Sequence, residues 1–163
     1  MKEMTLKQIQ KELGYEVKIV AELEKPQSKV WKPYVGQMCW FVNASGNISN
    51  YAFSHSGEWA WRLSIGNCFK TEREAEFYKE KLLVTAELQR FADEHNDTIK
   101  IEKHQGSTYY FYYQFDTKRI AIGCSTAWNR YFGVFFSSSE IAKKAIDTIG
   151  EERIKKYYLE VQE

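Results

Sequence analysis

Hydrophobic and polar residues alternate along two stretches of this chain, and a helical pattern follows each stretch. In the first stretch, the alternation predicts three strands, at residues 37–43, 48–53 and 58–65. Thr71 and Glu74 have the spacing of a capping box, which predicts that a long helix begins there and continues to about residue 94. The predicted apolar stripe of this helix consists of Tyr78, Leu82, Val84, Leu88 and Phe91.

The second stretch predicts further strands, at residues 98–103, 109–115, 120–124 and 128–136. Ser137 or Ser138 then caps a helix that buries Ala142, Ala145 and Ile149 and ends at Gly150. A short final helix is expected over residues 151–158.

The N-terminal part of the chain forms an extension in this prediction. Thr5 caps a short helix over residues 5–13, and alternation over residues 15–23 predicts a strand. Residues 24–36 contain both prolines and form a connector.

The two stretches share a spaced pattern, A-W-x-x-x-[IF]-G-x-x-F-x-[ST]-x-x-x-A, which starts at Ala60 and again at Ala127. Each matched position lies 67 residues from its counterpart. We therefore predict an α+β fold of two similar β-β-β-α modules, each an antiparallel sheet with helices packed on one face, after the N-terminal helix and strand. The predicted divisions are residues 1–36, 37–97 and 98–163, and we expect them to form one compact unit.

Charge and cysteine content exclude several classes of protein. The chain has 163 residues, with 23 Lys and Arg against 22 Asp and Glu, and a net charge of +1. This balance argues against bulk nucleic-acid binding, which needs many unpaired cations. Three cysteines at no ligand spacing argue against a disulfide framework or a zinc cluster. Because the sequence has neither a long apolar run nor an apolar leader, we expect a cytoplasmic protein without membrane contact.

Candidate catalytic groups are few. The three histidines fall in predicted turns, where solvated side chains are the ordinary outcome. Cys124 and His104 flank the aromatic hairpin, but their spacing does not require a nucleophile pair, and a buried free cysteine is the commoner outcome. The sequence also lacks a phosphate-binding glycine loop. We therefore predict no catalytic residue, metal or cofactor.

The aromatic residues, 16% of the chain, give a sharper hypothesis. Aromatic rings beside a cation suit nucleobases and their phosphates. Strand parity would place Trp61, Leu63 and Ile65 on one face, and the repeat would place Arg130 where Leu63 stands, beside Trp128. Arg130 either extends its charged end to an edge of the sheet, pairs with a helix glutamate, or binds an anionic ligand in a pocket beside Trp128. Core packing remains the alternative for each tryptophan. The predicted ligand-binding residues are Trp61, Arg62, Asn67, Trp128, Arg130 and Lys32.

Several segments resemble a family of small, mostly uncharacterised proteins encoded by phages and prophages of Gram-positive bacteria. The matching pieces are Ile65–Thr71, Glu74–Phe77, Trp31–Pro33, Ala86–Ala92 and Gly150–Tyr157. The resemblance implies a non-virion accessory product that acts in the host bacterial cytoplasm. Many such proteins counter a host defence, and the resemblance carries no catalytic motif.

These observations lead to a hypothesis of a non-enzymatic counter-defence protein that binds and sequesters a small nucleotide immune signal. Homo-oligomerisation fits this hypothesis, because pockets can be shared between chains. One alternative is a protein-binding inhibitor of a host defence nuclease, such as a CRISPR effector, and another is an enzyme that acts on nucleotides. A single-stranded nucleic-acid binder is disfavoured by the even charge pattern.

Overall fold

The computed structural model describes residues 31–97, 106–126 and 133–161. The chain divides into two compact units, Met1–Lys32 and Pro33–Glu163. The predicted helix 5–13 and strands 15–23 and 98–103 lie outside the described residues, as does most of the predicted strand 128–136. The predicted boundary between residues 97 and 98 stays a prediction.

In the residues that the structure describes, the second unit is α+β, with two small antiparallel sheets and a set of helices. Its strands are β1 (Met38–Val42), β2 (Ile48–Ala52), β3 (Thr108–Gln114) and β4 (Arg119–Ser125). Its helices are α1 (Gly57–Ser64), α2 (Glu72–His95), α3 (Ser139–Ile149) and α4 (Glu151–Arg153), followed by a π-helical turn (Ile154–Tyr158). Among the described residues, no helix is long and apolar enough to cross a membrane.

The first sheet is the β1–β2 hairpin, as predicted from residues 37–43 and 48–53. Its turn is held by Asn43, whose side-chain oxygen accepts the N–H groups of Ser45 and Asn47 at 2.9 and 3.0 Å. On the other edge of β1, Trp40 and Phe69 exchange two backbone hydrogen bonds of 3.0 and 2.8 Å. The hairpin is therefore extended by a single bridge rather than by a third strand.

The predicted strand 58–65 is wrong, because this segment forms helix α1. The alternating pattern is too short to separate the two periodicities, and local interactions favour the helix. The Ser56 side chain caps it, and Glu58 pairs with Arg62 one turn later. The predicted β-β-β-α order is thus not confirmed: the described part of the first module has the order β-β-α-α.

The long helix α2 follows its prediction closely. Thr71 and Glu74 form the capping box, and the buried residues include Val84 and Leu88. The inclusion of Leu82 in the buried stripe is wrong, since its side chain is 48% exposed.

The second sheet, β3–β4, packs its inner face on α2 and α3. A single bridge joins Tyr109 to Phe136, and Ser138 caps α3, which ends at Gly150 with a φ of +100°. These caps and the burial of α3 confirm the prediction. The core of this region consists of Val84, Leu88, Ala92, Phe111, Val134, Phe136, Ala142, Ala145, Ile149 and Ile154.

The C-terminal segment returns to α2. The guanidinium of Arg153 donates to both carboxylate oxygens of Glu87, at 2.8 and 3.2 Å. The Tyr158 hydroxyl accepts the N–H of Val134 at 2.8 Å, and burial raises the pKa of this phenol. These contacts anchor the predicted final helix, which is α-helical for one turn and then π-helical.

Candidate functional site

Two of the predicted ligand residues lie on α1. Trp61 is 61% exposed. The guanidinium of Arg62 lies 3.8 Å from the ring centroid of Phe41 and forms an ion pair with Glu58. Arg62 is therefore engaged within the first module, with its side chain only 14% exposed.

Asn67 supports the sheet rather than facing solvent. It is 8% exposed, its side-chain oxygen accepts the N–H of Val42 at 2.9 Å, and its amide nitrogen donates to the carbonyl of Val42 at 2.7 Å. Its amide thus imitates a backbone partner for the last residue of β1. Lys32 is exposed and belongs to the first compact unit. Trp128 and Arg130 lie outside the described residues, so their assignment stays a prediction.

The cysteines fall into two environments. Cys39, in β1, and Cys68 lie beside each other, and burial raises the pKa of Cys68 to about 12. Cys124 is exposed, so the expectation that it is buried is wrong. Its thiol lies beside the Tyr109 hydroxyl and raises the pKa of that phenol. The proposed partner of Cys124, His104, lies outside the described residues.

The described histidines, His55 and His95, are both exposed and rest against phenylalanine rings. Within residues 31–97, 106–126 and 133–161, no group of three side chains has the composition and spacing to hold a metal ion. An open depression of about 230 Å³ lies between α2 and α3. Its charged lining, Glu87, Arg90 and Glu94, has an excess of carboxylates and so does not favour an anion.

The strongest candidate surface is the solvent-facing side of the β3–β4 hairpin, which we call the outer face. Alternation along β3 turns Phe111 into the core, so that Thr108, Tyr110, Tyr112 and Gln114 lie on the opposite side. Their cross-strand partners on β4 complete the outer face: Ser125, Gly123, Ala121 and Arg119, respectively.

Gly123 sets the position of the Tyr110 ring. A Cβ atom placed on Gly123 would lie 2.6 Å from Cζ and 2.7 Å from Cε2 of Tyr110. The ring therefore occupies the space above β4 that a side chain at position 123 would fill. This is the close approach that a glycine within a strand permits.

Tyr112 and Arg119 extend this aromatic surface. The Tyr110 and Tyr112 ring centroids are 6.4 Å apart, and Tyr112 is 43% exposed. The partner of Tyr112 is the small residue Ala121, so the neighbouring strand leaves room beside its ring. Arg119, two residues before Ala121, is the diagonal neighbour of Tyr112 on the same face and within reach of a long side chain. The result is a pair of rings with a cation at one end.

Sequence reasoning found the aromatic strand but missed this surface. A signal was present, because the partner strand Ile120–Cys124 carries small residues at alternate positions, Ala121 and Gly123. Only the pairing register shows that these two residues face Tyr112 and Tyr110.

Comparison with protein-family models, curated proteins and solved structures gives no match. The resemblance to phage-encoded proteins therefore stays a prediction.

Proposed function

We propose that this chain is a non-enzymatic phage accessory protein that binds and sequesters a small nucleotide immune signal in the host bacterial cytoplasm. The observation that carries the proposal is the Tyr110 ring laid across Gly123, with Tyr112 and Arg119 on the same face. Stacking of a base on a tyrosine contributes about 1–3 kcal/mol, and a neighbouring guanidinium can pair with a phosphate. Rings and cation together fit a ligand that carries both groups.

The composition of the outer face supports binding without turnover. Apart from the tyrosines, its only ionisable side chain is that of Arg119, with no carboxylate, imidazole or thiol among the eight residues. Such a surface supplies stacking and charge but no group suited to general acid–base catalysis near neutral pH. A bound nucleotide would therefore be held intact, which is the property that sequestration requires.

The test is to incubate the purified protein with a panel of cyclic and ADP-ribose-type nucleotides. The protein is then removed and denatured, and both fractions are analysed. We expect one nucleotide to be recovered intact and only from the protein fraction. A chemically altered nucleotide would support the enzyme alternative, and retention of none of the panel would contradict the proposal.

Two substitutions locate the site. Tyr112→Ala removes an exposed ring from the outer face, and Gly123→Ala introduces a Cβ that displaces the Tyr110 ring. We expect each to weaken nucleotide affinity about tenfold, which corresponds to roughly 1.4 kcal/mol of lost stacking. The matched control is Tyr51→Ala, because Tyr51 is a 63% exposed strand tyrosine on the other hairpin. Equal losses in Tyr51→Ala and Tyr112→Ala would contradict this location.

The same binding assay tests the predicted ligand residues Trp128 and Arg130. If they contact the nucleotide, Trp128→Ala and Arg130→Ala will weaken binding while leaving the circular dichroism spectrum unchanged. Full binding by both variants would remove them from the proposed site.

A second candidate function, inhibition of a defence nuclease through protein contact, is favoured by a different observation. The first hairpin, its N-terminal flank and α1 carry many exposed apolar side chains: Tyr34, Val35, Met38, Tyr51, Trp61, Leu63 and Ile65. Exposed apolar surface of this kind is typical of protein contact sites. In an assay with a purified CRISPR nuclease, this candidate predicts inhibition that is lost in Trp61→Ala and kept in Tyr112→Ala. The nucleotide proposal predicts no inhibition.

A further inference from the structure

The outer edge of β4 carries backbone hydrogen-bonding groups that no described strand pairs with. Tyr109 directs its N–H and carbonyl to Phe136, away from β4. Because these directions alternate along a strand, the backbone groups of Tyr110 and Gly123 face each other. Those of Ile120, Ile122 and Cys124 then point to the outer edge of β4.

One of these residues is already engaged. The N–H of Ile120 donates to the carboxylate of Glu151 at 3.4 Å, which covers the start of the edge. Within the part of the chain that the structure describes, Ile122 and Cys124 are left as the backbone groups that a further strand could pair with.

The sequence of β4 has none of the features that usually protect an edge strand from pairing. From Ile120 to Ser125 it contains no charged residue, no proline and no bulge, and Arg119 at its start is the one charge in the strand. Natural edge strands of monomers usually carry such protection, whereas strands that pair with a partner do not.

We propose that β4 pairs antiparallel with β4 of a second copy of this chain, with the two-fold axis at Gly123. In this register, Ile122 of one copy lies opposite Cys124 of the other, and each donates and accepts a backbone hydrogen bond. Ala121 lies opposite Ser125, and the two Arg119 side chains lie at opposite ends of the paired region. The single charge of the strand is therefore never placed against its own copy.

A second copy of β4 satisfies the hydrogen bonding of this edge. The two open residues, Ile122 and Cys124, are separated by one residue, so a two-fold rotation about Gly123 satisfies both at once. The contact of Ile120 with Glu151 ends the pairing at the next position. Two hairpins become one four-stranded sheet, and the Tyr110 rings of both copies come to lie on one continuous outer face.

The first test measures the molecular mass of the protein in solution. We expect the full chain to be a concentration-dependent dimer by sedimentation equilibrium, approaching twice the 19.3 kDa of one chain. Cys124→Pro removes an outward N–H without removing a bond to β3, so we expect it to be monomeric. Cys124→Ala keeps the N–H and serves as the matched control, which should remain dimeric. A native chain that stays monomeric up to millimolar concentration would overturn the proposal.

A crosslinking test determines the register of the paired strands. It does not require the Cys124→Pro variant to fold. Directly opposite residues in a non-hydrogen-bonded antiparallel pair have Cα atoms about 4.5 Å apart, within the range of a disulfide. Ala121→Cys and Ser125→Cys, each combined with Cys124→Ala, should form a disulfide-linked dimer when the two variants are mixed under oxidised glutathione. Neither variant should crosslink alone. Crosslinking of either variant alone to the same extent, or no crosslinking in the mixture, would contradict the register.

The strand pairing is tested independently of the nucleotide proposal, because both experiments measure the mass of the protein species in the absence of a nucleotide. A native chain that is monomeric and still binds a nucleotide of the panel would overturn the strand pairing alone. A dimer that binds no nucleotide of the panel would contradict the proposed function alone.

Discussion

At the scale of single residues, two asparagine side chains make hydrogen bonds that the backbone of a neighbouring strand usually makes. Asn67 both accepts from and donates to Val42, and Asn96 donates to the carbonyl of Phe135 while accepting the N–H of Ser137, both at 2.8 Å. Each amide completes the hydrogen bonding beside a single bridge, at Phe69 in one half and Phe136 in the other. The assignment of Asn67 as a ligand residue thus has a structural alternative that the geometry supports.

Replacing these amides should destabilise the fold. Asn67→Ala leaves the N–H and carbonyl of Val42 without partners beside a buried site, and we expect a loss of about 2–4 kcal/mol in the free energy of unfolding. Asn47→Ala, at an exposed turn position, should change it by less than about 0.5 kcal/mol. Urea unfolding followed by circular dichroism measures both values. Equal effects would show that the Asn67 amide is not needed by the sheet.

The Cys68 thiol makes stability depend on alkaline pH. Burial raises its pKa from 9.0 to about 12, so the folded chain holds this proton where the unfolded chain has lost it. The contribution of this protonated thiol to the free energy of unfolding is complete below pH 9 and is lost as the pH rises toward 12. We expect the urea midpoint to fall over this range, and to fall less in Cys68→Ala. Ser45→Ala, in the exposed turn of the first hairpin, is the control and should follow the native chain.

At the scale of elements, local capping and side-chain burial have different origins. Thr71 and Ser138 begin α2 and α3 through contacts within three residues, so the chain itself specifies these ends. Burial along α2 depends on what packs against it, which is why Leu88 is fully buried and Leu82 is 48% exposed. Both positions belong to the same apolar stripe in the sequence.

These two leucines make a matched pair. Leu88→Ala creates a cavity in the core, and we expect it to lower the free energy of unfolding by about 3–4 kcal/mol. Leu82→Ala removes a half-exposed side chain of equal size and should cost under about 1 kcal/mol. Denaturant titration of both variants measures the difference. A similar cost at the two sites would mean that Leu82 is covered in solution, for example by a partner.

At the scale of the whole molecule, α2 connects the two described sheets of the second unit. Its first turns contact the β1–β2 hairpin, and its later turns share a core with β3, β4 and α3. An ion pair between Arg153 and Glu87 links the segment that follows Gly150 to the same helix. Both described sheets therefore pack against one helix.

This shared helix predicts cooperative unfolding. Phe136→Ala, in the second core, should accelerate hydrogen exchange in the β1–β2 peptides as well as in the β3–β4 peptides, because α2 loses support for both sheets. Hydrogen-exchange mass spectrometry under native conditions gives the two rates. Faster exchange in β3–β4 alone would show that the two sheets open independently. Ser45→Ala, in the exposed turn of the first hairpin, should leave both rates unchanged.

The sequence predicted some elements well because their signals are short-range. Alternation located the two hairpins, and serine, threonine and glycine located the helix ends. It failed for residues 58–65, where eight residues of alternating character fit a strand and a helix equally. The candidate surface was missed for a related reason, since Tyr110 and Gly123 are distant in the chain and meet only through the β3–β4 register.

The amino-acid sequence by itself determined the α+β class, the hairpins and the caps of α2 and α3, because each follows from contacts between near neighbours in the chain. The tertiary structure decided the rest. In it, Trp61 is exposed on a helix, Arg62 contacts Phe41 and pairs with Glu58, and the Tyr110 ring lies over Gly123. Such outcomes depend on which surfaces pack together, and that is set by the burial of many side chains at once.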